Sequence, residues 1–373
     1  MRRARIHKFL DYKDDERMSV EAPGNSILQK DIERIALHLT HFPEIKNKSF
    51  FVTGATGLLG SLIVKSLMYL NRFHQFNVTV FALVRNLDKA KSTFGKLVDH
   101  ENLRIVVGDV LHIPEVPESI DYILHGASAT SSQYFVEHPV ETIDTAINGT
   151  KNVLDLAKTK NIASMVYLSS LEVYGTLHSE EPVGEEVAGY IDPLSIRSSY
   201  SESKRMAENL CCAFSSQYGV PVKIARLTQT FGAGVSYDDN RVFAQFARSV
   251  IEKTNIVLHT EGSTTRNYCH TSDAIRALFT ILLRGTDRSA YNVANMDTSI
   301  SIRDMAKMVS SCGSDTEVVF HLEENEKYGY NPTVKICLDT SRLNQLGWAA
   351  EVGLTEMFQT LIKSMEMDKA TKR

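Results

Sequence analysis

In the stretch YSESK, Tyr200 and Lys204 stand four residues apart, the spacing that puts two side chains on one face of a helix. An ammonium beside a phenol lowers the phenol's pKa, so this pair could take a proton from an alcohol near neutral pH. Far upstream, TGATGLLG sets Gly54, Gly57 and Gly60 at intervals of three, after an apolar run and ahead of a helical pattern. Glycine at these points permits a tight turn, close approach of backbone to a pyrophosphate and close helix–strand contact, while the helix N-terminus adds partial positive charge. Gly54, Thr56, Gly57, Leu58, Leu59 and Gly60 are therefore candidate contacts to a nicotinamide dinucleotide.

The other end of such a cofactor meets ALVRN, at the end of the second apolar run. Arg85 stands where an acidic residue would accept the ribose 2′-hydroxyl, and a guanidinium there suits a 2′-phosphate. The choice between NAD and NADP thus leans toward NADP, with Asn86, Lys89 and Lys91 as helpers. Asp109, followed by Val110 in GDV, is placed to meet the adenine end, although a turn-forming Gly-Asp would look the same.

The scaffold that positions these residues is legible as short apolar runs alternating with helical patterns: SFFVTG, NVTVFALV, NLRIVVGD, DYILHGA, ASMVYLSS and VPVKIARL. Continuous apolar strands imply a sheet buried on both faces, so the expectation is an α/β fold with a doubly wound parallel (Rossmann) sheet. Residues 1–24 read as a disordered or tag-like leader, DYKDD resembling part of an epitope tag. Residues 25–46 hold an amphipathic helix with Leu28, Ile32, Ile35, Ala36 and Leu39 on one side. Residues 47–232 form the NAD(P)-binding domain with the catalytic residues, and 233–373 a smaller substrate-binding region, with chain segments free to cross between the two.

Composition narrows the function classes. The net charge is −4 and no basic block is dense enough to follow a polymer of phosphates, which argues against nucleic acid. No run approaches the length of a membrane span, and the N-terminus lacks the apolar core of a signal peptide. The five cysteines show neither a CxxC pair nor a metal-ligand spacing, so no metal is expected and reduced thiols in a cytoplasmic protein fit best.

Taken together, these segments resemble the extended short-chain dehydrogenase/reductase family, in its NAD-dependent epimerase/dehydratase branch, from about Lys48 to Trp348. The likeness is carried by the glycine loop, GDV at 108–110, HGAS at 125–128, VYLSS with EVYG, YSESK, ARLTQTFG and LDTSRLNQLGW. It implies that Ser170, four residues before the EVYG tyrosine, completes a triad with Tyr200 and Lys204. Tyr200 would take a proton from the C4 hydroxyl of a nucleotide-linked sugar while hydride passes to the nicotinamide. Ser170 would orient the sugar, and Lys204 would hold the ribose and tune Tyr200. The same likeness puts Ala127 at the cofactor and Ser128 at the substrate. It also implies a homodimer through the helix bearing Tyr200 and a second helix from about Thr142 to Lys158. One departure is Ala146, where the family usually has asparagine before NGT, with Asn148 as a partial substitute.

Several segments look most like UDP-glucuronate decarboxylases: SSQYFVEHPVETI, RSSYSESKRMAE and DDNRVFAQFARSVI with TTRNYCHTSDA. This implies roles for Gln229, Arg241 and Arg266 in lining the nucleotide-sugar site, with Arg266 near the pyrophosphate or the sugar carboxylate. Glu172 would act at C5, but its neighbour is Leu171, which has no proton to give a leaving hydroxyl. Loss of carbon dioxide from a β-keto acid needs no such donor. The alternatives are a 4-epimerase or 4,6-dehydratase, an NADPH-dependent reductase, and a non-catalytic cofactor-binding sensor.

Overall fold

The computed structural model describes residues 20–371 apart from 117, 178–180, 314 and 323–334. Its strands, in chain order, are β1 (Ser49–Thr53), β2 (Thr79–Val84), β3 (Leu103–Val107), β4 (Tyr122–His125), β5 (Ser164–Ser170) and β6 (Val222–Leu227). There follow β7 (Gln229–Phe231), β8 (Ile256–Leu258), β9 (Thr265–His270), β10 (Ala290–Val293), β11 (Asn295–Ser301), β12 (Val318–Phe320) and β13 (Lys335–Ile336). The helices are α1 (Ser26–Leu39), α2 (Leu58–His74), α3 (Leu87–Phe94), α4 (Ser132–Glu137), α5 (Pro139–Lys160) and α6 (Ser198–Tyr218). The rest are α7 (Val242–Glu252), α8 (Thr271–Arg284), α9 (Ile302–Ser310), α10 (Ser341–Asn344) and α11 (Leu354–Thr371).

Seven strands form one sheet in the order β10-β6-β5-β4-β1-β2-β3, every neighbour parallel. All five residues of β1 are buried. Because strand side chains alternate, Phe50 and Val52 enter the core shared with α1, α2 and α8, while Phe51 enters the core shared with α5 and α6. This two-sided burial is why the strands read as unbroken apolar runs. The chain leaves β1 toward β2 and β3, then restarts at β4 on the other side of β1 and runs outward to β10. The crevice between the ends of β1 and β4 is thus the switch point, where open α/β sheets bind ligands. The edge strand β10 comes from beyond residue 232, so the C-terminal part of the chain returns to the large sheet. Residues of β7, β8, β9, α7, α9 and α11 gather around Phe231, Phe243, Met305 and Phe358 in a separate core.

The described residues reach into the segment 1–24 that was expected to be a leader. Residues 1–19 lie outside the described residues, but Glu21 and Ala22 are buried; Glu21 pairs with Arg72 of α2, and Ala22 joins the core beneath it. Asn25 then caps α1, its side chain accepting from Leu28 N at 3.0 Å. The same side chain donates to Ser364 Oγ at 2.8 Å and Asp368 Oδ1 at 2.9 Å, both on α11. Farther along α1, Asp31 Oδ2 lies 3.6 Å from His270 Nε2, both side chains buried. All five cysteines are free thiols. Among the described residues no helix is long and apolar enough to cross a membrane.

Candidate active site

The glycine loop leaves β1 and enters α2. Gly54 has φ +67, and a Cβ on it would sit 2.9 Å from the carbonyl group of Gly126 after β4. A Cβ on Gly60 would sit 2.2 Å from Gly54 O, so the first turn of α2 lies directly against the loop. Gly57 occupies the N-cap position of α2 and no side chain caps the helix, which leaves its first N–H groups for a ligand. A backbone cradle that side chains would fill, under an uncapped helix, fits the pyrophosphate of a dinucleotide. Thr56, Leu58 and Leu59 are half-buried beside it. Gly60→Ala is expected to force this loop open and weaken NAD binding by about tenfold or more. Calorimetry checks this, and wild-type affinity in the variant would refute the cradle.

At the adenine end, Arg85 is 83% exposed and its Nε lies 3.9 Å from Asp109 Oδ2. Asp109 also builds its own turn, Oδ1 accepting from Leu111 N at 2.9 Å. Asn86 caps α3 through Lys89 N, which commits its carbonyl oxygen and leaves Lys89 and Lys91 on the exposed side. Val110 is buried and fixes the position of α5: a Cβ on Gly149 would meet its Cγ2 at 2.7 Å.

Beneath Ala127 and Ser128 lies a buried polar chain that motif reading passed over. Thr53 Oγ1 accepts from Gly126 N and Ala127 N, each at 3.1 Å, and bonds His125 Nδ1 at 2.7 Å. With two N–H groups already on that oxygen, its own proton goes to Nδ1, so His125 carries its proton on Nε2 and donates to Thr150 Oγ1 at 3.0 Å. Burial first, and Lys204 second, push His125 down from 6.5 to about 3. The unfolded chain takes up this proton from about pH 6.5 downward, whereas the folded protein does not until about 3. Stability is therefore lost as pH falls through that window, by at most about 1.4 kcal/mol per pH unit from this group. His125→Asn is expected to flatten the pH dependence of urea unfolding between about pH 7 and 5. An unaltered slope would argue against a neutral, buried His125.

The proposed triad is brought together at the end of β5. Ser170 closes the strand, its Oγ accepting from Glu172 N at 3.2 Å, and its hydroxyl also bonds Tyr200 on the neighbouring α6. Tyr200 is 9% exposed and stacks on Phe135 of α4, ring centroids 4.2 Å apart and planes at 10°. The expected effect of Lys204 on the phenol is not what this geometry gives. Lys204 Nζ donates to Leu168 O at 2.8 Å and lies 5.8 Å from the Tyr200 ring centroid, closer to the ring of Tyr167. Burial, then the charge of Glu172, pushes Tyr200 up to about 12, with Ser170 and Arg197 acting in the opposite direction. Burial also brings Lys204 down to about 8.

Glu172 does not cap the turn that follows β5, since Ser170 does. Its Oε1 pairs with Arg197 Nη2 at 2.9 Å and its Oε2 accepts from Ser201 Oγ at 3.1 Å. Leu171 packs into a small apolar cluster with Val173, Tyr174, Val183 and Leu338. Asn148 does not stand in for Ala146. It bonds Asp144 on the exposed side of α5, while Ala146 is buried on the opposite side.

Arg226, Arg241 and Arg266 differ in their partners. Arg226 binds Glu208 through both oxygens and also donates to Tyr174 Oη and Glu185 O. Arg241 is neutralised by Asp239, at 2.6 Å in its shortest contact. Arg266, on β9, has a buried Nε without a hydrogen-bond partner and makes no ion pair among the described residues. Gln229 is half-buried on β7, which pairs with β9. No group of side chains among the described residues could hold a metal ion.

Comparison with known proteins agrees with this architecture. "UDP-glucuronic acid decarboxylase 5" from Arabidopsis thaliana is 28% identical over 314 residues, covering 83% of this chain and 87% of that one. "UDP-glucuronic acid decarboxylase 1" from Danio rerio is 30% identical over 292 residues, covering 76% and 67%. An epimerase structure from Methanothermobacter thermautotrophicus superposes with a TM-score of 0.74 at 20% identity, covering 90% of this chain and 97% of that one. The Thermotoga maritima UDP-glucose 4-epimerase with UDP-glucose gives 0.71 at 18% identity, covering 87% and 100%. Residues 50–294 match the profile described as the NAD dependent epimerase/dehydratase family. That match spans well over half of the chain, from β1 to the end of β10, and the chain belongs to the NAD dependent epimerase/dehydratase family.

Proposed function

We propose that this enzyme decarboxylates a nucleotide-linked uronic acid by transient oxidation at C4, in the manner of a UDP-glucuronate decarboxylase. The observation that carries the reading is Arg266, a guanidinium with a buried nitrogen and no partner among the described residues, which a diphosphate or a sugar carboxylate would satisfy. Two other features support it: Leu171 is packed into apolar surroundings and offers no proton to a leaving hydroxyl, and relatives covering most of the chain are decarboxylases by name.

Bound NAD supplies a hydride acceptor and, when oxidised, a positive charge. Tyr200 takes the C4 hydroxyl proton, and Ser170 holds the same oxygen. Lys204, brought down to about 8 by burial, lies beside the same buried rings and would hold the cofactor ribose. With C4 a ketone, the C5 carboxylate would leave as carbon dioxide, the enolate left across C4 and C5 would take a proton from water at C5, and the proton held at Tyr200 would return to the C4 oxygen as the ketone is reduced. Mass spectrometry of products from UDP-, dTDP-, GDP- and CDP-linked uronic acids and hexoses tests this. Loss of carbon dioxide is expected; loss of water or an unchanged mass would overturn it in favour of a dehydratase or an epimerase.

A second point concerns the cofactor. The exposed Arg85 favours acceptance of the 2′-phosphate of NADP, and the identity of the nucleotide released from the purified, denatured protein decides it. We further propose a homodimer in the cytoplasm. Val136, Val140, Ile143 and Met206 are 40–72% exposed along α4, α5 and α6 and would be covered by a second copy.

A further inference from the structure

We propose that Arg197 is a positioning residue for proton transfer at Tyr200: paired with Glu172 on one side and stacked through Phe135 on the other, it holds the glutamate and the phenol ring as one rigid unit. The proposal rests on the reading of Tyr200 as the base. Arg197 sits at the N-cap position of α6, directly before the helix that carries Tyr200. Its guanidinium carbon lies 4.9 Å from the Phe135 ring centroid, and Phe135 in turn lies flat on Tyr200. Ser199 Oγ donates to Phe135 O at 3.1 Å, and Ser201 Oγ holds the second oxygen of Glu172. One turn of α6 therefore grips both α4 and the turn after β5.

This pair differs from an ordinary surface ion pair. The Arg197 and Glu172 side chains are only 20% and 27% exposed, and the carboxylate is held at both oxygens. The charged and titratable groups facing Tyr200 are Glu172 from the turn after β5, Arg197 and Lys204 from α6, and Tyr167 from β5, while α4 presents the Phe135 ring. Glu172 disfavours the phenolate and Arg197 favours it. Removing Arg197 leaves the glutamate charge uncompensated beside the base, and frees the ring that aligns it.

The test uses the NAD-loaded full chain and follows reduced-nicotinamide absorbance in single turnovers across pH. In Arg197→Met the ascending limb is expected to move up by about one pH unit, with kcat about tenfold lower at neutral pH and KM for the nucleotide sugar little changed. Adding Glu172→Gln should return the limb to its wild-type position, and Arg197→Lys, which keeps the charge, should retain it. Arg197→Gln, measured in parallel, gives the same comparison if the methionine variant does not fold. A crystal structure of the NAD-loaded variant supplies a readout independent of turnover: Glu172 should leave Ser201 and Phe135 should leave the Tyr200 ring. An unmoved limb, or both contacts intact in the crystal, overturns the role of Arg197. A wild-type protein that oxidises no nucleotide sugar overturns the proposed function instead, and the crystal comparison then decides Arg197 by itself.

Discussion

Tyr200→Phe is expected to lower the rate of sugar oxidation by about 10³-fold while the purified protein still carries its nicotinamide cofactor. The substitution removes one oxygen and keeps the ring that packs on Phe135, so the fold of α4 and α6 should persist. What is lost is the hydroxyl proposed to take the C4 proton. Because burial and Glu172 push the phenol up to about 12, Tyr200 is protonated at neutral pH without compensating charge. The oxidised cofactor provides such charge, so the active pH range should depend on cofactor occupancy. Stopped-flow absorbance of the reduced nicotinamide measures the step, and a variant within tenfold of wild type would remove Tyr200 from the mechanism.

Arg266→Met should weaken binding of the nucleotide sugar by about 30- to 100-fold, the effect of deleting a charge-assisted pair with an anion, roughly 2–3 kcal/mol. The same change should leave the melting temperature unchanged or raise it, because the guanidinium satisfies no protein group and its Nε is buried unpaired. Arg226→Met is the contrasting control. Its guanidinium holds Glu208 at 2.6 Å, so its loss strands a buried carboxylate and should cost about 3–5 kcal/mol of stability. Isothermal titration with UDP-glucuronate and thermal unfolding of both variants separate the cases. Equal sugar affinity in Arg266→Met and wild type would strike Arg266 from the binding site.

These two arginines show where sequence reading reaches its limit. Arg226 lies in ARLTQTFG and Arg266 in TTRNYCH, and each has the composition of a binding residue. Only the fold shows that Glu208, eighteen positions before Arg226 on α6, claims one of them. The glycine loop, the parallel sheet and the Tyr200–Lys204 pair were legible because each depends on local spacing or on burial of a whole strand. The partner of Lys204 was not, because it is a backbone carbonyl that any residue could supply. The clamp on Glu172 joins residues 25 apart through a turn and a helix start. His125 escaped notice because a histidine at a strand end carries no spacing signal of its own. The burial of Glu21 was not legible because it looks like a solvated charge until Arg72 is brought beside it.

The N-terminal helix has a consequence for how the molecule is made and how it can be shortened. Asn25 finds its partners on α11, 339 and 343 positions later, so α1 must wait for a segment synthesised long after it. Until then the apolar side of α1, with Ile32, Ile35 and Ala36, rests on α2 and α8 without its outer clasp. A chain trimmed to the matched residues 50–294 would lose both halves of that clasp and uncover the outer side of the cofactor helix. Such a fragment should be sticky and slow to mature, and α1 with α11 is best regarded as a single closure fastened after the sheet has formed.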